Sequence, residues 1–195
     1  MNPAPRTFPP MALLGLLAAS SPVPAAADGA PPPPEIYAPV AMEAGTWDAE
    51  VTFYESDRPS GQARGVQVNT MLVNGHWISN DFSIPATGRL PPYQGHGVWG
   101  YDPVARTYVN TWVDTNDGSV RTDYGYWHAP EQTMVWSSKH NDGLGHFVDY
   151  RMTEEFKGRV RVFTVFQLGM VQPNPHPQVK IVFTRRDADA APQPR

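Results

Sequence analysis

The feature that most constrains this chain is a recurrence. Between residues 45 and 186, short runs of alternating apolar and polar residues follow one another, each ending in a turn signal. Alternation with a period of two is what a half-buried β-strand demands, because successive side chains point to opposite faces. Residues 95–114, GHGVWGYDPVARTYVNTWVD, show it best: two alternating runs joined by Asp102-Pro103, where proline presets the φ of a turn. A related unit returns 25 residues later, with Gly125-Tyr126-Trp127-His128-Ala129-Pro130 standing where Gly100-Tyr101-Asp102-Pro103 stood.

Alternation and turn chemistry place about ten strands, at residues 47–55, 66–72, 76–84, 95–101, 106–113, 119–127, 132–139, 145–154, 159–168 and 178–186. No twelve-residue window carries helical periodicity, so the chain reads as all-β. In the first strand Trp47, Ala49, Val51 and Phe53 share the inward face; in the next, Val66, Val68, Thr70 and Leu72 are expected to do the same. Asn74-Gly75 then supplies a hairpin turn, since both residues tolerate positive φ. Ten strands in one open sheet would expose two long edges, and short sequential hairpins favour closure into an antiparallel up-and-down barrel. Barrels of about eight strands can hold one small ligand inside.

The ends read differently. Residues 1–27 have the form of an export signal: Arg6, the apolar run 11–19, then small residues to Ala25-Ala26-Ala27 before Asp28. The apolar run is far short of the roughly 20 residues of a membrane-spanning helix, so no membrane span is expected and the product is placed in the periplasm or outside the cell. Residues 28–41 read as a proline-rich spacer, 42–186 as the barrel domain and 187–195 as a solvated tail. The chain has no cysteine, which removes disulfides, thiolate ligands, a Cys nucleophile and a lipidated Cys together. With Arg6 removed the net charge goes from −4 to −5, and no basic cluster longer than Arg185-Arg186 exists, so nucleic acid is not an expected partner.

Gly45-Thr46-Trp47 at the head of the first strand resembles the Gly-x-Trp start of lipocalin-type barrels. That likeness implies a basic residue on the last strand, here Arg185, lying over the first-strand Trp in a cation–π contact. Four blocks in order, Gly45-Thr46-Trp47, Val73-Asn74-Gly75-His76-Trp77-Ile78, Gly97-Val98-Trp99-Gly100-Tyr101-Asp102 and Tyr108-Val109-Asn110-Thr111-Trp112-Val113-Asp114, resemble the bacterial domain-of-unknown-function family 1579 over about residues 42–186. The resemblance implies a lipocalin-like barrel whose biochemical role is generally unassigned. Trp127-His128 departs from the family's usual aromatic-Asp at the second repeat.

Candidate chemistry is sparse. The six histidines form no HxH or HExxH pattern, and no metal or other cofactor is expected. His76 and His96 read as strand residues able to share the interior, and His140 and His146 flank a Gly-rich turn. The haem barrels called nitrobindins use a histidine near the C-terminal end, where this chain offers His176 between two prolines. Ser137-Ser138, His140 and Asp142 lie close in sequence without the spacing of a catalytic triad, and there is no Gly-x-Ser-x-Gly elbow. Asp102 and Asp114 read as turn caps.

The stronger candidates are polar residues that share a face with apolar ones: Asn80 beside Phe82, Asn110 beside Tyr108 and Trp112, Asp149 beside Arg151. With Trp47 and His96 these make up the expected cavity set. The leading reading is an exported barrel that binds a small, mainly apolar molecule in its interior without covalent chemistry. The alternatives are a cavity enzyme of isomerase or cyclase type, with Asp149, His96 or Tyr108 as acid or base, and an envelope interaction module with a filled interior and an exposed apolar patch.

Overall fold

The computed structural model describes residues 32–88, 90–116, 118–141, 147–168 and 176–187. The expected export signal, Asp142, His146 and the tail beyond residue 187 lie outside them. Ten strands follow in chain order: β1 (Gly45–Glu55), β2 (Arg58–Leu72), β3 (Trp77–Ile84), β4 (Tyr93–Asp102), β5 (Thr107–Asp114), β6 (Arg121–His128), β7 (Thr133–Asn141), β8 (Phe147–Lys157), β9 (Val160–Leu168) and β10 (Val179–Arg185). Each pairs antiparallel with its sequence neighbours, and β10 returns to β1 to close the barrel. Closure leaves no unpaired edge, the hazard that an open sheet of this size would face.

The turns follow the residues that encode them. Asn74 and Gly75 adopt φ of 56° and 78° between β2 and β3. The Asp102 carboxylate accepts the N–H groups of Val104 at 2.8 Å and Ala105 at 3.1 Å, closing the turn from β4 to β5. The recurring Gly/aromatic pattern has a packing cause. An added Cβ at Gly95 would sit 2.2 Å from Cζ2 of Trp112 on β5, and one at Gly97 2.5 Å from its Cε3. Gly125 on β6 gives the same room to Trp136 on β7, again at 2.5 Å. Glycine on one strand thus makes room twice for a tryptophan ring from the next, while Gly100, which the repeat aligns with Gly125, makes room instead for Trp77 on β3, at 2.6 Å.

Two expectations are overturned. The inward face of β2 is the opposite of the one its apolar residues indicate: Val68 is 43% exposed, whereas Ala63, Gln67 and Asn69 are buried. The register requires this, since Gln67 lies across from Trp47 and Asn69 across from Asn80, both inside. The second correction concerns the spacer. From Pro34 onward the chain folds into a 3₁₀ turn (Pro34–Tyr37) and a short helix, α1 (Ala38–Glu43).

Prolines in the first turn of each segment preset its φ, and Gly45, at φ 117°, takes the chain from the helix into β1. Six residues are too few for a helix that stands alone in water, so packing holds this one. Val40 is fully buried in a cluster with Ile78, Trp99, Tyr108, Met134 and Met152. The Tyr108 hydroxyl donates to the Ile36 carbonyl at 2.6 Å, and Tyr37 stacks on His76 at 3.9 Å. The helix plugs one end of the barrel. A second cluster, including Trp47, Val51, Phe82, Ile181 and Phe183, packs along the opposite wall.

Candidate functional site

The interior holds a cavity of about 610 Å³. Its depth ends at the plug, and its lining reaches exposed residues, Leu90, Pro91 and Asn116, at the other end. Those residues follow β3 and β5, so the mouth is formed by the β3–β4 and β5–β6 loops. Between floor and mouth the walls are apolar, with Val51, Phe82, Phe163, Val179, Ile181 and Phe183 among them.

The floor is ionic. Arg161, projecting inward from β9, donates to the Glu43 carboxylate at the end of α1, to the Glu154 carboxylate on β8 and to the Gln67 side-chain carbonyl on β2. Its guanidinium lies 4.1 Å from the Phe183 ring centroid and 5.0 Å from that of Trp47. Glu43 is held from every side: Trp99 and Asn80 donate to its carboxylate, Asn80 at 3.1 Å, while Trp47 and Asn69 donate to its backbone carbonyl at 2.8 and 3.0 Å. This explains the inverted face of β2, because the interior at that level is a charge network and polar side chains satisfy it. Burial first, and then the charge of Glu43, push the Glu154 carboxyl up to about 7, while Arg161 and Trp136 pull the other way.

The mouth carries a second polar group. On the β5 and β6 side, Asp114 accepts from Trp112 Nε1 and from the Tyr93 hydroxyl, both at 3.1 Å. Burial, followed by the Asp114 charge, pushes the Tyr93 phenol well above its ordinary range. Asp123, 1% exposed, accepts at Oδ2 from Asn110 at 2.7 Å and from Arg121 Nε at 3.2 Å. His140 also lines the cavity; it meets the Ser138 hydroxyl and stacks on Tyr150 at 4.5 Å.

Of the residues singled out from sequence, Phe82, Asn80, Asn110 and Trp112 line the cavity. Trp47 and Tyr108 are buried beside it without lining it: Trp47 sits under Arg161 and Arg185, and Tyr108 anchors the plug. Arg185 lies 4.2 Å from the Trp47 ring, as the lipocalin likeness implies, and also donates to the carbonyls of Met42 and Ala44. Three candidates face outward. His96 pairs with Asp81 at 2.8 Å on the outer wall, Asp149 with Lys139 at 3.5 Å, and Arg151 lies over Phe166 at 5.3 Å. Both β4 and β8 are read one residue out of phase there: inside stand Gly95 and Gly97, not His96, while Phe147 on the Asp149 face is 70% exposed.

His76 is likewise a surface turn residue, and His176 lies in the bend before β10. Sequence reasoning missed Glu43, Gln67, Asp123, Glu154 and Arg161. A signal for two of them existed, since Glu154 alternates with Met152 and Phe156, and Arg161 with Phe163 and Val165.

A closed ten-stranded antiparallel barrel, plugged at one end by a helix and open inside, defines the structural class. The family model described as a protein of unknown function (DUF1579) matches residues 37–185, and the chain belongs to that family. No curated protein matches the chain. Among solved structures, Rv2717c from M. tuberculosis is similar in fold, at 13% identity and a TM-score of 0.58, over 80% of this chain and 99% of that one. A redesigned β-barrel, b11L5F_LGL, aligns over 76% of this chain and 95% of its own at 10% identity, with a TM-score of 0.37.

Proposed function

We propose that this is an exported barrel that binds a small, mainly apolar molecule in its interior. The carrying observation is the cavity of about 610 Å³, with apolar walls between two groups of fixed polar side chains. Its size falls within the range of small-molecule sites, and a few convergent polar groups in an apolar pocket are what orient a ligand. The void also weighs against the interaction module, whose signature was a filled interior. Export rests on the pattern of residues 1–27.

The test is native mass spectrometry of the protein recovered from the exported fraction of its host. The expected spectrum shows a chain starting at Asp28 and carrying one small molecule that leaves on collisional activation. A bare chain with a tight protein partner would instead favour the interaction module, and an uncleaved N-terminus would remove the export reading.

The placement of Glu154 supports a second reading, a cavity enzyme in which this carboxyl moves a proton on the ligand. Incubating the co-purified molecule with the protein in D₂O tests it. Deuterium gained at carbon, and lost with Glu154→Gln, would support the enzyme; no exchange would refute it.

A further inference from the structure

The charge of the cavity narrows the class of ligand. Among the described residues that line it, Glu43, Asp114, Asp123 and Glu154 face two guanidiniums, Arg121 and Arg161. Even with Glu154 protonated, three carboxylates stand against two fixed positive charges. In a low-dielectric, apolar enclosure that excess is screened far less than it would be in water. A carboxylate ligand would meet it as repulsion, and a cation as attraction.

Glu43 and Asp123 are not equally available. Glu43 is saturated by Trp99, Asn80 and Arg161. Asp123 is different: among the described residues nothing donates a hydrogen bond to its Oδ1, although the side chain is 1% exposed and lines the cavity. Arg121 Nε comes within 3.1 Å of this oxygen, but its N–H is directed at Oδ2 instead. A buried carboxylate oxygen without a donor is costly, and a ligand that brings one recovers that cost. The donors already present, Asn110 and Arg121, fix the carboxylate in place, so a ligand meets a preorganised acceptor.

We propose that the cavity selects apolar molecules carrying one protonated amine, held at Asp123 Oδ1, over the corresponding alcohols and carboxylic acids. This rests on the reading that the cavity binds a small molecule. Decylamine, decanol and decanoate, each below its aggregation concentration at pH 7.5, separate the two ideas by isothermal titration calorimetry. The expected order is decylamine tightest, at least about tenfold tighter than decanol, as befits a charge-assisted hydrogen bond, with decanoate weakest.

Asp123→Asn keeps the shape and removes the charge, and should bring decylamine to within about twofold of decanol. Arg121→Gln removes the opposing charge and should widen the preference for decylamine over decanol, which keeps the test decisive if Asp123→Asn does not fold. Decylamine binding no tighter than decanol in the wild type, or a preference that survives Asp123→Asn, would overturn the proposal while leaving cavity binding standing. If none of the three binds, cavity binding itself fails and this inference falls with it.

Discussion

Replacing Arg161 with Met should be among the most damaging single changes to this fold that touch no backbone. Methionine retains a long apolar stem against Phe183 and Trp47, so packing is largely preserved and the loss is electrostatic. What remains is Glu43 and Glu154, both nearly inaccessible to water, with the partner they share gone. Breaking a buried ion pair by removing one side costs about 3–5 kcal/mol, because the other charge stays buried and uncompensated. For a domain of this size, each kcal/mol moves the melting temperature by about 2–4 °C, so the expected drop is about 6–20 °C.

Melting followed by far-ultraviolet circular dichroism at pH 8 reads this directly. At pH 5 the deficit should shrink, because carboxyls without Arg161 escape their burial cost by taking protons. Adding Glu43→Gln and Glu154→Gln to Arg161→Met should recover much of the loss, since a buried network removed whole costs far less than one left half-paired. A deficit below about 1 kcal/mol, or one equal at pH 5 and pH 8, would refute the reasoning that a charge network forms the floor.

Three further outcomes follow from the same geometry. Glu154 is raised from its ordinary 4.5 to about 7, so in that window the folded chain holds a proton that the unfolded chain has released, and stability should fall as pH rises from about 4.5 to about 7. The slope due to this group is at most about 1.4 kcal/mol per pH unit, and urea titrations of Glu154→Gln should show that part of it gone. Gly97→Ala puts a Cβ 2.5 Å from the Trp112 ring and 2.8 Å from the Thr111 carbonyl, and should cost about 1–3 kcal/mol in urea melts while weakening decanol binding, because Trp112 lines the cavity. Arg185→Ala removes the cation lying 4.2 Å from Trp47 and the donors to Met42 and Ala44, so differential scanning calorimetry should record a loss of about 1–3 kcal/mol.

The barrel was legible because its information is local. Alternation, Asn74-Gly75 and Asp102-Pro103 each act within a few residues, and together they leave few ways to connect ten strands. The plug was not legible, because a helix of six residues shows no period; Val40 packs with Ile78, Trp99, Met134 and Met152, and the Glu43 carboxylate meets Asn80, Trp99 and Arg161, all far along the chain. The cavity was half legible. Asn80, Phe82, Asn110 and Trp112 sit on faces whose apolar neighbours point inward, and they were found.

On β2 the same rule fails, because the side chains meeting Arg161 and Glu43 must be polar, which turns Val68 to solvent and Gln67 inside. A buried ion network reverses the alternation that otherwise marks a core face. His96 misled for a related reason: the inward positions beside it are Gly95 and Gly97, which make room for Trp112 and carry no side chain to mark the face. Asp149 and Arg151 misled because Phe147, the apolar residue on their face, is itself exposed.

The central claim, that the barrel interior is a small-molecule site, is tested most directly by titrating decanol into the protein and following tryptophan fluorescence, since Trp99, Trp112 and Trp136 all line the cavity. The same titration on Ala63→Trp, which places an indole where the Ala63 methyl now lines the wall, supplies the control. Saturable one-to-one binding by the wild type, abolished in Ala63→Trp with the fold intact by circular dichroism, is the expected result. No saturable binding, or binding that the filled cavity leaves unchanged, would contradict it.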